Sequence, residues 1–185
     1  MSAIDLGPTL IALARNAIER ELAVAEEAVR APGELDRPGA TFVTLRSRGE
    51  LRGCIGTLEA WRPLAEDVRA NALAAAFRDP RFPPLRREEL VVTAVEVSLL
   101  HPSEPVRAPH EDALLALLRP GIDGVVLECA RRRATFLPQV WEQLPDAREF
   151  VRALKRKAGL PEDFWSEDVR ISRYGVDKFA EETLP

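Results

Sequence analysis

The segment Leu51-Arg52-Gly53-Cys54-Ile55-Gly56-Thr57 sets a thiol, a guanidinium and two glycines into a stretch that otherwise reads as a strand. Side chains of an extended chain alternate between faces. Arg52, Cys54 and Gly56 therefore share one face, and Leu51, Gly53, Ile55 and Thr57 the other. A cation beside a thiol lowers its pKa and enriches the thiolate, which makes Cys54 the candidate nucleophile or ligand contact. The competing reading of Cys54 is a small side chain packed as a hydrophobe. Nucleophilic catalysis also needs a base within reach. Glu96, a carboxylate in the middle of the apolar run Leu90 to Leu100, is the candidate partner, although a carboxylate next to a thiol raises the thiol's pKa.

Glycine inside a strand marks a bulge, a bend or a close approach. Gly53 and Gly56 can present successive N–H groups to an anion, or they can give a bulged strand room beneath a close-packed helix. Arg52 and Arg81 together suit a carboxylate or phosphate by fork geometry. Alternatively, one of them pairs with Glu96 and the other with Asp79, as structural ion pairs. Gln139, just after Pro138 at a helix start, stands where free N–H groups can face a cleft.

These residues belong to a chain of 185 residues with a formal net charge of -4, long enough for one sizeable core or for two small lobes. The acidic balance argues against a general grip on nucleic acid, and Arg131-Arg132-Arg133 reads as a solvated hairpin tip or a local contact for an anionic partner. No apolar run approaches a membrane span. The first residues lack a secretory pattern, so a cytoplasmic location is expected. The two cysteines, Cys54 and Cys129, and the two histidines, His101 and His110, show no metal-ligand spacing, and no metal or cofactor is read from them.

The elements that must position the candidates follow from periodicity. Leu10, Leu13, Ala14, Ala17, Ile18 and Leu22 predict a first helix from Pro8, continuing to about Val29. Ala40 to Ser47 and Leu51 to Thr57 predict a hairpin closed by Arg48-Gly49. Pro63 opens a helix that turns Leu64, Val68, Ala72, Ala75 and Ala76 inward and ends at Asp79-Pro80. Phe82-Pro83-Pro84 reads as a rigid wedge, and Leu90 to Leu100 as a strand. His101 to Pro109 reads as a loop, and Asp112 to Leu118 as a short helix. Val125 to Ala130 and Ala134 to Leu137 predict a second hairpin, and Asp146 caps a helix that leaves through Gly159 and Pro161. Asp168 to Tyr174 reads as one more strand, and Trp61, Trp141 and Trp165 as core or interface aromatics. The class is α+β, without the repeating rhythm of a doubly wound sheet.

Taken together, LRGCIGT (Leu51 to Thr57), AAFRDPRFPPL (Ala75 to Leu85), EVSLL (Glu96 to Leu100), FLPQV (Phe136 to Val140) and KAGLP (Lys157 to Pro161) resemble the AMMECR family, in that family's order and over nearly the whole chain. The resemblance implies one AMMECR-type domain over 1–185: α+β, antiparallel sheets with flanking helices, in two unequal lobes. It carries no reaction, substrate or cofactor with it. Arg52, Cys54, Asp79, Arg81, Phe82, Glu96, Pro138 and Gln139 are carried over as motif positions only. The resemblance also implies Memo-like and radical-SAM proteins as partners. Two expectations follow: a ligand-binding or enzymatic domain for a small anionic ligand, with a cleft around Leu51 to Thr57, or a non-catalytic accessory protein presenting that surface to such partners.

Overall fold

The computed structural model describes residues 3–181 and divides the chain into two compact units, 1–100 with 177–185, and 101–176. Each is built on a four-stranded antiparallel sheet.

In the larger unit, helix α1 (Ala3–Glu21) precedes strands β1 (Thr41–Ser47) and β2 (Glu50–Gly56), helix α2 (Leu64–Phe77) and strand β3 (Thr93–Leu100). Strand β8 (Val176–Ala180) completes the sheet, in the order β2-β1-β3-β8. Val43 and Leu45 on β1 and Val95 and Val97 on β3 are fully buried on one face. Leu10, Leu13 and Ile18 of α1 and Leu64, Val68, Ala72 and Ala75 of α2 pack against them. Each buried Leu, Ile or Val contributes about 1.5–3 kcal/mol. The alanines of α2 let its backbone approach the sheet closely. Thr44, Cys54 and Glu96, which alternate with these core residues, lie on the face opposite α1 and α2.

Helix α1 ends well before Val29. Beyond Leu22 no apolar stripe remains to bury, and propensity alone does not hold a helix in water. Ala23 takes φ 53 and reverses the chain, and Asn16 clips the returning segment, donating to the Glu27 carbonyl and accepting from the Val29 N–H, both at 2.9 Å. The β1–β2 turn is as expected, with Arg48 and Gly49 both left-handed (φ 50 and 85), the geometry that matches strand twist. Strand β3 begins at Thr93 rather than Leu90, because Arg87–Val92 form a 3-10 helix in which Glu89 accepts from the Arg86 N–H and leaves Val91 72% exposed.

In the smaller unit, β4 (Glu104–Val106), α3 (Glu111–Leu117), β5 (Gly124–Cys129), β6 (Arg132–Phe136), α4 (Ala147–Lys157) and β7 (Arg170–Tyr174) give a sheet ordered β4-β7-β5-β6. The loop expected from His101 to Pro109 thus contains a short edge strand, its ladder limited by Pro105. Trp141 stacks on Phe150 with ring centroids 3.7 Å apart, and its indole N–H donates to the Asp123 carbonyl at 2.7 Å. Trp61, by contrast, is 68% exposed, with the Arg62 guanidinium 4.8 Å over its ring. Helix α4 is capped by Asp146, which accepts from the Glu149 N–H, and exits at Gly159 with φ 75. Lys155 in its last turn is buried, donating to Glu111 Oε2 at 2.5 Å and to the Glu162 carbonyl at 2.9 Å.

Candidate functional site

The geometry around Cys54 begins with a break in β2. Leu45 pairs with Gly53, but Arg46 pairs with Leu51, so Arg52 is an extra residue in the ladder. Such a bulge resets the alternation. Leu51 therefore faces Arg46 rather than sharing a side with Gly53 and Ile55, and Arg52 leaves the face it was expected to share with Cys54. The Arg52 guanidinium turns instead to Glu89, donating to Oε1 at 2.9 Å and Oε2 at 3.2 Å, and stands 5.9 Å from the centroid of the Phe82 ring. The expectation that one of the two arginines pairs with Glu96 is corrected: Arg52 pairs with Glu89, because the bulge aims it at the 3-10 segment. Its Nη1 is buried without a hydrogen-bond partner.

Cys54 stays in register opposite Thr44, which in turn lies opposite Glu96. The three form a row across β2, β1 and β3. The Thr44 hydroxyl donates to the Cys54 sulfur at 3.3 Å, and Cys54 is half-buried. Glu96 is held by Arg46 at 2.8 Å and by Lys178 of β8 at 3.0 Å. Sequence reasoning missed Thr44, Arg46 and Lys178 as neighbours of the candidate thiol. Strand pairing would have named the first two once the hairpin was registered, whereas nothing local to Lys178 points to β3.

The outer edge of β2 is closed by side chains. The Cys54 N–H donates to Asp79 Oδ2 at 2.9 Å, and its carbonyl accepts from Arg81 Nη2 at 3.3 Å. Arg81 also grips Asp79 through Nε at 2.9 Å and Nη2 at 2.7 Å. A carboxylate and a guanidinium thus supply the acceptor and donor that a further strand would have offered, which protects an open edge. The pairing of Arg81 with Asp79 is the structural alternative weighed for that residue. The Arg81 side chain remains half-exposed. Phe82 lies beneath both guanidiniums, Arg81 being 5.5 Å from its centroid, and Leu85 is buried. Within Phe82 to Leu85, Phe82 is half-buried and Leu85 buried, while Pro83 and Pro84 are exposed.

The Arg81 guanidinium holds the Asp79 carboxyl well below its ordinary 3.8, against the opposing effect of burial and with help from the Cys54 and Arg81 N–H groups. A depressed carboxylate stabilises the fold fully above its unfolded pKa and loses that contribution as pH falls through the folded value. An Asp79→Asn variant is expected to unfold at lower urea than the parent at neutral pH, with the gap closing only below about pH 3.8. A gap constant into strong acid would refute this assignment.

Both glycines of the motif have packing causes. A Cβ on Gly53 would stand 2.2 Å from the Ala75 carbonyl oxygen of α2, and one on Gly56 would stand 2.2 Å from the Phe42 ring, its cross-strand neighbour. Thr57 joins a network that sequence reasoning also missed. Its hydroxyl donates at 2.7 Å to Asp67, a fully buried carboxylate that also accepts from Thr41, Asn71 and Arg62. Asp67 and Asn71 interrupt the inward stripe of α2 at helical spacing, which was the available signal.

Gln139 falls in the other unit, exposed in the 3-10 helix Pro138–Glu142, while Arg52, Gly53, Cys54, Gly56, Arg81 and Glu96 belong to the first. Among the described residues, no group of three or more His, Cys, Asp and Glu side chains is placed to hold a metal ion, and no helix is long and apolar enough to cross a membrane.

Two antiparallel α+β units with the LRGCIG strand at a sheet edge define the class. The AMMECR1 family model matches residues 11–179, and the chain belongs to that family. A Methanothermobacter thermautotrophicus protein is 40% identical over 185 residues, covering 96% of this chain and 95% of that one. A Thermotoga maritima protein is 43% identical over 151 residues, covering 80% and 82%. A crystal structure of an uncharacterized Pyrococcus horikoshii protein superposes with a TM-score of 0.85 at 36% identity, covering 97% of this chain and 93% of its own.

Proposed function

We propose that the protein is a ligand-binding domain for a small anion, with the Cys54 thiol as the contact group on the face of the first sheet opposite α1 and α2. The observation that carries this reading is the hydroxyl-to-sulfur hydrogen bond from Thr44 to Cys54, a residue that is only half-buried. A hydroxyl donating to the sulfur gives Cys54 a polar partner, which a cysteine acting only as a hydrophobe does not need. Arg46 and Lys178 stand along the same row through Glu96, and Arg81 at the strand edge adds an exposed guanidinium. These cations supply the charge that an anion needs. Arg52, Gly53 and Gly56 support the site from behind: the first anchors the bulge, and the glycines admit α2 and the Phe42 ring.

Glu96 is the acid nearest the thiol in the row, and its two oxygens are engaged by Arg46 and Lys178. Its role in this reading is to fix those cations rather than to take the thiol proton. The arrangement is thus better suited to binding through sulfur than to a full nucleophile–base pair.

Thiol labelling of the native protein tests the proposal, with the buried Cys129 as internal reference. Cys54 is expected to react rapidly in the folded state and Cys129 only on unfolding, and Thr44→Val is expected to slow the reaction at Cys54. If both thiols label at the unfolding-limited rate, the proposal fails.

A further inference from the structure

A second site of different chemistry lies wholly within the unit 101–176. A cavity of about 510 Å³ is lined there by Arg119, Arg173, Ile122, Pro138, Tyr174 and Val176, among others. Its size falls in the range of small-molecule pockets, roughly 300–1,000 Å³.

Two arginines give it a charged end, and both are held by one buried acid. Asp123 is fully buried; its Oδ1 accepts from Arg119 Nη2 at 2.7 Å and Nε at 3.1 Å, and its Oδ2 from the Arg119 backbone N–H at 2.9 Å. Arg173 lies 3.9 Å from the same carboxylate and donates through Nη1 to the Leu117 carbonyl at 3.3 Å. Neither fork is used up. The bonds to Asp123 and to the Leu117 carbonyl use Arg119 Nε and Nη2 and Arg173 Nη1, and so do not engage Arg119 Nη1 or Arg173 Nε and Nη2. A guanidinium already fixed by its neighbours loses little freedom when it takes an oxyanion.

The remaining lining gives the site an apolar end. Ile122 is 55% exposed, and Pro138 and Val176 are half-buried. An exposed isoleucine beside two cations suits a ligand that carries an apolar body behind a charged head. Glu104, the cross-strand neighbour of Arg173, places an acid at the rim and so disfavours a head with more than one negative charge.

From this geometry we infer that the cavity binds a small amphipathic monocarboxylate, its carboxylate between Arg119 and Arg173 and its apolar body against Ile122 and Pro138. The site is independent of Cys54 and stands or falls apart from the thiol reading.

Benzoate is a suitable probe, with benzamide as its neutral counterpart and phenyl phosphate as the more highly charged one. Titrated into the isotope-labelled full chain at fixed ionic strength, benzoate is expected to shift the amides of Gly121, Ile122 and Gly175 saturably. Benzamide is expected to leave them in place, and phenyl phosphate to bind no more tightly than benzoate. Arg173→Gln should weaken benzoate about tenfold, the loss of one charge-assisted hydrogen bond. Ile122→Ser alters an exposed position that the fold does not need, and should weaken it about threefold. The inference is overturned if benzoate gives no saturable shift up to about 20 mM, if benzamide matches it, or if Ile122→Ser and a folded Arg173→Gln leave the titration unchanged.

Discussion

Asp67→Ala is expected to lower the stability of the first unit by about 3–5 kcal/mol, the range for removing one partner of a buried ion pair. The carboxylate is fully buried. It accepts from the Thr41 N–H and hydroxyl at 2.8 and 2.7 Å, from Asn71 at 2.9 Å, from the Thr57 hydroxyl at 2.7 Å and from Arg62 Nε at 2.8 Å. Those partners come from the start of β1, from α2 and from the residues that follow β2. Removing the acid takes the acceptor from the Thr41 N–H and hydroxyl and from Arg62 Nε, and leaves the Arg62 side chain, 19% exposed, without its counter-charge, while Asn71 and Thr57 keep each other as partners. Asp67→Asn keeps the shape and restores part of the network, so it should fall between parent and alanine variant. Urea unfolding followed by circular dichroism measures all three. An alanine variant within about 1 kcal/mol of the parent, the scale of one ordinary hydrogen bond, would show that the network contributes little.

The second large effect is expected at Gly53. In Gly53→Ala the new methyl group would stand 2.2 Å from a backbone oxygen of α2, an atom that cannot rotate away. Relief requires β2 and α2 to part by roughly 1 Å, which loosens packing along the interface. Overpacking of this kind destabilises by about 3 kcal/mol or more where backbone must move. Gly56→Ala meets the Phe42 ring at the same distance, but a ring can swing aside, so a smaller loss is expected there. The comparison separates two explanations of the glycine pair. If the glycines served only a ligand, both variants would melt like the parent and differ in binding alone.

How much of this was legible beforehand differs residue by residue. Arg48-Gly49 named its own turn, since two adjacent left-handed residues suit a two-residue hairpin. Asp146, Gly159 and Pro161 announced the ends of α4 through chemistry acting within one turn of the helix. The inward stripe of α2 was equally plain from Leu64, Val68 and Ala72. Arg52 was not: its type suggested a partner for Cys54, and only the ladder with β1 reveals that it is the extra residue of a bulge. Lys155 stands in the last turn of α4, where a cation suits the helix dipole, yet a carboxylate from Glu111 draws it into the interior.

By itself, then, the sequence determined membership of the family, the α+β class and the local elements around Cys54, because periodicity, caps and turns are encoded by neighbours along the chain. Tertiary structure alone decided which acid each arginine meets, that Thr44 donates to the thiol, that β8 rejoins the first sheet, and that Gln139 belongs to the other unit. The physical reason is register. Pairing between strands far apart in sequence places side chains opposite one another, and a single inserted residue such as Arg52 changes which ones meet.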